Sequence, residues 1–102
     1  MSYDLIVVGG GVAGSSLAGR MAANGARVLL LERDTQFRDR IRGEALQPWG
    51  VAEVRKLGIA AVLRQGAAEL RYFKQILNGE CAMQRDFVTT TIPAEAIWGF
   101  CE

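Results

Sequence analysis

Two short apolar runs on either side of a helical segment open the chain. Residues 3–8 are rich in β-branched side chains and stop at Gly9, a pattern that predicts a fully buried strand. Residues 12–24 carry small and apolar side chains at helical spacing, and 27–31 form a second apolar run. A strand, a helix and a strand over about 30 residues predict a βαβ unit, whose strands are parallel.

The middle of the chain predicts two helices after a polar stretch. Residues 33–46 are rich in arginine and carry no regular pattern. Pro48 is suited to the first turn of a helix, apolar residues then recur at every third position, and Gly58 is a helix stop. A shorter helix is expected over 59–64.

The last third of the chain has the pattern of strands. Two runs with aromatic and β-branched residues, 70–77 and 81–92, flank Asn78-Gly79. This dipeptide is a strong signal for a tight turn, because both residues tolerate positive φ. We therefore expect an antiparallel hairpin that ends at Pro93, with its aromatic residues and both tryptophans packed in cores, and no assigned structure after it.

Composition excludes several classes of function. The chain has 102 residues, of which 50% are hydrophobic and 23% charged, and its formal net charge is +1. This apolar content can form a core, which excludes disorder as the main state, and no excess of cations is available for nucleic-acid phosphates. No run of about 18 apolar residues is present, so no membrane span is expected.

Cysteine and histidine usage restricts the catalytic and metal chemistry. Cys81 and Cys101 are the two cysteines, without a CxxC spacing, and the chain has no histidine. A zinc site and a Ser-His-Asp or Cys-His apparatus are therefore not expected, and we assign no metal ligand and no catalytic residue. Free thiols and the lack of a signal peptide predict a cytoplasmic location.

A glycine-rich turn connects the first predicted strand to the helix. Gly9, Gly11 and Gly14 fit G-x-G-x-x-G: the first makes the tight turn, the second allows close approach of a pyrophosphate, and the third lets the helix pack closely on the strand. The backbone N–H groups of Gly11, Val12, Ala13 and Gly14 are helix-start donors. Together with the helix dipole they can hold a diphosphate.

An acidic residue ends the second predicted strand. Glu32 lies 18 positions beyond Gly14, where its carboxylate can accept hydrogen bonds from the ribose hydroxyls of an adenosine and would repel a 2′-phosphate. An ADP-containing dinucleotide other than NADP is therefore expected, and a glycine turn without a ligand is the alternative. These residues do not distinguish FAD from NAD, because both cofactors are bound by a glycine turn and an acid of this kind.

The segment after Glu32 resembles one protein family. The Gly-Glu-x-x-x-Pro pattern that ends at Pro48, and the helix that ends at Gly58, are similar to the FAD-dependent monooxygenases of the aromatic-hydroxylase type, whose relatives include geranylgeranyl reductases and flavin-dependent halogenases. The resemblance implies FAD as the cofactor. It further implies that Glu32 holds the adenosine ribose, that Arg33 lies by the adenine, and that Arg42 reaches the FAD diphosphate or its ribityl side.

The resemblance also sets expectations for the whole protein. The fold is expected to be α/β, a Rossmann-like βαβ FAD/NAD(P)-binding fold that is incomplete, with a dinucleotide-binding segment over 1–66 and a hairpin that starts a substrate domain over 67–102. The chain is expected to be the ADP-binding part of an FAD-dependent monooxygenase for a small molecule, inactive alone and completed by more chain or by a homo-oligomer. An NAD-linked dehydrogenase fragment and a non-catalytic binding module remain the alternatives.

Overall fold

The described part of the chain, residues 1–38 and 45–100 of a computed structural model, is of the expected α/β class. The chain divides into two units, Met1–Arg40 and Ile41–Glu102. Among the described residues, the first unit contains one helix and a two-stranded parallel sheet, and the second contains three helices and two antiparallel sheets. No helix within these ranges has the length and apolar content to cross a membrane.

The first unit is the predicted βαβ arrangement. Its elements are strand β1 (Leu5–Val8), helix α1 (Val12–Ala23) and strand β2 (Val28–Leu31). The two strands pair in parallel, with Val8 opposite Leu31. The helix ends where the sequence predicts, because Gly25 takes a positive φ of 89°. This register places the carboxyl ends of both strands side by side.

Helix α1 covers one face of this small sheet. Val7 of β1 and Ala18 of α1 are both buried, and Val7 lies against the start of the helix at Gly14. On the other face Ile6 and Val8 are 57% and 83% exposed, and within residues 1–38 and 45–100 β1 pairs with β2 alone. In the described part of the chain, one edge of β1 and one face of this sheet are therefore open.

An ion pair fastens the start of the two strands. The guanidinium of Arg27 donates to both carboxylate oxygens of Asp4, at 3.3 and 3.1 Å, and the Arg27 backbone N–H donates to the same carboxylate at 2.8 Å. These bonds hold the pKa of Asp4 below its ordinary value. Because Asp4 and Arg27 directly precede β1 and β2, the pair supports the strand register from its amino end.

The second unit combines a three-stranded sheet, helices and a hairpin. In chain order its elements are β3 (Ala45–Leu46), α2 (Pro48–Leu57), α3 (Ala60–Arg64), β4 (Ala68–Leu70), β5 (Tyr72–Leu77), β6 (Glu80–Asp86), α4 (Phe87–Thr90) and β7 (Ile97–Gly99). Strand β7 lies between β3 and β4 and is antiparallel to both, whereas β5 and β6 form a separate hairpin. Strand β7 falls in the segment to which the sequence pattern assigned no structure.

The core of the second unit lies where α2 meets β7. Val51 is fully buried and Val54 nearly so, three positions apart on α2, and Trp98 of β7 packs against them. Pro48 opens α2, and Gly58 ends it with a positive φ of 77°, as predicted. This contact joins the helix that follows the arginine-rich stretch to the last described strand.

The hairpin forms at the predicted turn but is shorter than predicted. Asn78 and Gly79 both take positive φ between β5 and β6. Strand β6 ends at Asp86 instead of continuing to residue 92, because the Asp86 carboxylate accepts the Val88 N–H at 3.0 Å and caps the short helix α4. A local capping bond therefore outweighs the β-propensity of the residues that follow.

Two further expectations about this unit are wrong. Leu70 does not belong to the hairpin, because it pairs with Ile97 in the three-stranded sheet. Of the two tryptophans only Trp98 lies in the core, whereas Trp49 and Tyr72 are 65% and 64% exposed in the described structure. Both errors arise because the type of a residue shows neither which strand it pairs with nor which element covers its side chain.

Candidate functional site

The turn between β1 and α1 is the centre of the candidate site. The Gly9 N–H donates to the Leu31 carbonyl at 2.7 Å, which extends the pairing of the two strands. Gly9 takes a positive φ of 105° and turns the chain out of the strand. Gly11 caps α1, and the first bond of the helix runs from the Ser15 N–H to the Gly11 carbonyl at 2.9 Å. The helix N-terminus therefore opens at the carboxyl end of β1.

Four backbone donors are available at this helix start. The N–H groups of Gly11, Val12, Ala13 and Gly14 have no acceptor within residues 1–38 and 45–100. A helix N-terminus with unpaired N–H groups and the positive end of the helix dipole favours an anion such as a phosphate. The residues predicted to hold a diphosphate are thus brought together in one turn of backbone.

The three motif glycines are required for different reasons. Gly9 has a positive φ, and a Cβ on Gly14 would collide with the Gly9 carbonyl oxygen, so the helix can approach the strand only with glycine there. Gly11 has an ordinary extended conformation, with φ −69° and ψ −173°, and a Cβ on it would meet no described atom within 4 Å. The described fold itself therefore does not demand glycine at this position.

Glu32 follows β2 and connects it to the glycine turn. Its Oε1 accepts the Asp34 N–H at 2.8 Å and its Oε2 accepts the Gly10 N–H at 2.6 Å. These two bonds hold the pKa of Glu32 below its ordinary value, so the side chain is a carboxylate at neutral pH. Each carboxylate oxygen keeps a second acceptor position, which can take a sugar hydroxyl. The acid thus faces the turn, as an adenosine site requires.

A cleft lies at the carboxyl ends of the two strands. It has a volume of about 470 Å³, and its lining residues are Val8, Gly9, Leu31, Glu32 and Arg33. Arg33 is exposed beside the cleft, with its Nε 3.3 Å from the Asp34 carboxylate. Parallel α/β sheets bind their ligands outside this edge of the sheet. The remaining predicted residue, Arg42, lies outside the described residues.

Sequence reasoning missed Gly10, which occupies a variable position of the motif. Its N–H binds Glu32, and a Cβ on it would lie 3.0 Å from Glu32 Oε2 and 3.2 Å from Glu32 Cβ. A larger residue would press on the acid and change its position. The signal that could have found it is a glycine at a motif position where any residue is allowed.

The donors and the acid of this site fit the ADP half of FAD. The fit consists of the unpaired N–H groups of α1, the open space at Gly11 and the carboxylate at the neighbouring strand end. A family model described as FAD binding domain matches residues 2–96. The chain belongs to this family. FAD is accordingly the cofactor, which decides the choice between FAD and NAD that the glycine motif left open.

Known proteins similar to this FAD-binding domain are named as monooxygenases and a hydroxylase. A squalene monooxygenase from Eremothecium gossypii is 43% identical over 79 residues, which cover 76% of this chain and 16% of that protein. The p-nitrophenol 4-monooxygenase from Pseudomonas putida shares the fold over 93% of this chain and 25% of its own, with a TM-score of 0.76 and 24% identity. Aklavinone-11 hydroxylase, solved with FAD and aklavinone, covers 99% of this chain and 21% of its own, with a TM-score of 0.66 and 26% identity.

Replacing Gly14 by alanine should destabilise the FAD-binding domain, because the new Cβ would collide with the Gly9 carbonyl. We expect a loss of about 1–3 kcal/mol in the free energy of unfolding, measured by urea denaturation. Gly19 is the matched control on the same helix, since a Cβ there meets no described atom within 4 Å. Gly19→Ala should stabilise by about 0.5–1 kcal/mol, because alanine favours helix. Equal effects of the two substitutions would contradict the close contact at Gly14.

Proposed function

We propose that the turn after β1 binds the diphosphate of FAD. The supporting observation is Gly11, whose extended backbone and open surroundings leave the fold without a reason of its own for glycine. A diphosphate that approaches the backbone closely supplies that reason. The donors to the diphosphate are the N–H groups at the start of α1, which include those of Val12, Ala13 and Gly14. Gly9 turns the chain toward them.

We further propose that Glu32 binds the adenosine ribose. Its carboxylate is ionised, lines the cleft and keeps acceptor positions for two hydroxyl groups. The same charge would repel a 2′-phosphate, which favours the adenosine of FAD over that of NADP. Arg33 lines the same cleft and is proposed to lie by the adenine, and Arg42 is proposed to reach the diphosphate or the ribityl side.

The part of this chain in catalysis is proposed to be binding and orientation. FAD, when bound, supplies the redox and oxygen chemistry. The helix-start donors hold the diphosphate and Glu32 holds the sugar, which restricts the freedom of the rest of the cofactor. No residue of the chain is proposed to act as a general acid or base.

For the whole protein we propose a flavin-dependent monooxygenase that acts on an isoprenoid alkene. The support is the 43% identity to a squalene monooxygenase, against 24% and 26% for the enzymes named for p-nitrophenol and aklavinone. The chain spans 16% of the length of that squalene monooxygenase, so the proposal concerns the whole protein and not this chain alone.

Three expectations of the sequence analysis stay predictions. They are the division into a nucleotide-binding segment at 1–66 and a substrate-domain hairpin at 67–102, the homo-oligomer, and the cytoplasmic location. The unpaired edge of β1 in the described structure supports a further strand neighbour, from more chain or from a second copy.

Replacing Gly11 by alanine should separate binding from stability. The new Cβ meets no described atom, so the free energy of unfolding should change by less than about 1 kcal/mol. The affinity for ADP should fall by about tenfold or more, because the methyl group takes space that the diphosphate needs. Urea denaturation and isothermal titration with ADP measure the two effects. Gly19→Ala should leave ADP binding unchanged, and an unaltered ADP affinity in Gly11→Ala would refute the diphosphate site.

Replacing Glu32 by glutamine should weaken ADP binding by about 1–3 kcal/mol, because charge-assisted hydrogen bonds to the ribose are lost. It should also reduce the preference for ADP over 2′-phospho-ADP, since the repelling charge is gone. Isothermal titration with both nucleotides measures these effects. Glu53→Gln, which removes an exposed ion pair with Lys56, is the control. It should change neither the ADP affinity nor the preference for ADP over 2′-phospho-ADP. A nucleotide preference that survives in full in Glu32→Gln would argue against the ribose role.

The whole protein of which this chain is the FAD-binding part, supplied with FAD, a nicotinamide reductant and O2, should convert squalene to a product that is one oxygen atom heavier. Labelling with ¹⁸O2 and mass spectrometry identify the source of that atom. p-Nitrophenol is the comparison substrate and should give no labelled product. Labelled product from p-nitrophenol, or none from squalene, would contradict the proposed substrate class.

A further inference from the structure

The backbone of Gly10 is held on both sides of its Cα. Its N–H donates to Glu32 Oε2 at 2.6 Å, and its carbonyl accepts the hydroxyl of Ser15 at 2.7 Å. Both bonds lie in the turn proposed to bind the diphosphate. The two peptide groups that flank the Gly10 Cα are therefore each held by a side chain, the first by the acid that follows β2 and the second by the serine on α1.

Ser15 makes two bonds to the turn. Its backbone N–H donates to the Gly11 carbonyl at 2.9 Å, which is the first bond of α1, and its hydroxyl reaches one residue further back, to Gly10. A serine hydroxyl in a helix ordinarily bonds to a carbonyl three or four residues before it. The bond of Ser15 spans five residues, so it joins the helix to the loop instead of to its own previous turn.

The hydroxyl takes the place of a backbone donor. If α1 began one residue earlier, the Gly10 carbonyl would accept the N–H of Gly14, four residues further on. In the structure this carbonyl accepts the Ser15 hydroxyl, and the Gly14 N–H has no acceptor among the described residues. The serine thus satisfies a carbonyl without using one of the donors of the helix start.

We propose that Ser15 is a positioning residue for the diphosphate of FAD. It holds the Gly10–Gly11 peptide through its carbonyl, next to the Gly9–Gly10 peptide that Glu32 binds, so that the helix-start N–H groups stay available to the ligand and the acid stays at the cleft. The inference rests on the proposed diphosphate site, and it adds a residue that the glycine motif does not contain.

The hydroxyl can be tested at nearly constant side-chain shape. Ser15→Thr keeps the hydroxyl, and Ser15→Val carries a methyl group in its place. We expect ADP to bind Ser15→Val about three- to tenfold more weakly than Ser15→Thr in isothermal titration with the purified protein. Ser15→Ala should show a similar loss with little change in melting temperature, because the higher helix propensity of alanine offsets the lost bond.

Ser16 is the matched control. It is the next residue on α1, and within residues 1–38 and 45–100 its hydroxyl has no hydrogen bond. Ser16→Ala should leave ADP affinity unchanged. Equal ADP affinities for Ser15→Thr and Ser15→Val, or a loss in Ser16→Ala as large as that in Ser15→Ala, would overturn the positioning role.

The outcomes distinguish this inference from the proposed function. ADP binding by the unsubstituted protein that is lost in Gly11→Ala establishes the diphosphate site, and the Ser15 variants then decide the positioning role. Absence of ADP binding in the unsubstituted protein would remove the proposed function and the positioning role with it. Amide NMR gives a second readout: ADP should shift the Gly14 resonance in Ser15→Thr more than in Ser15→Val, and equal shifts count against the role of the hydroxyl.

Discussion

The hydrogen bond from the Gly10 N–H to the Glu32 carboxylate joins the two strand ends on which the candidate site depends. It forms because β1 and β2 are parallel and in register, so that both strands end side by side. A shift of one residue would turn the side chains of β2 to the opposite face and move the acid away from the turn. The ion pair of Asp4 with Arg27 at the other end of the strands opposes such a shift.

A carboxylate beside a diphosphate site is unfavourable if only the two charges are considered. Glu32 is compatible with it because its oxygens accept the N–H groups of Gly10 and Asp34, near the positive end of the α1 dipole. In the proposed complex the ribose stands between the acid and the diphosphate. In that complex one carboxylate would orient the sugar and discriminate against a 2′-phosphate, without a separate residue for each task.

In the second unit, charged side chains complete a small core. Arg55 and Arg64 lie over the Trp98 ring, 5.2 and 5.4 Å from its centroid, and their carboxylate partners are Glu95 and Glu69. Guanidinium groups held in this way cover an indole that a sheet of two- and three-residue strands cannot bury alone. The ion pairs therefore act mainly by fixing the side chains that close the core, since exposed pairs contribute little by their charge.

The sequence by itself determined the βαβ unit, the glycine turn and the hairpin turn, because buried apolar runs and positive φ are properties of short segments. It also predicted the acid after β2 and, through the family resemblance, FAD. Only the tertiary structure decided which groups meet, as in the bonds of Gly10 to Glu32 and of Leu70 to Ile97. These partners are distant in the chain, so no local pattern marks them. Ser15 is close to Gly10, but its hydroxyl reaches that carbonyl only because the turn folds back onto the helix.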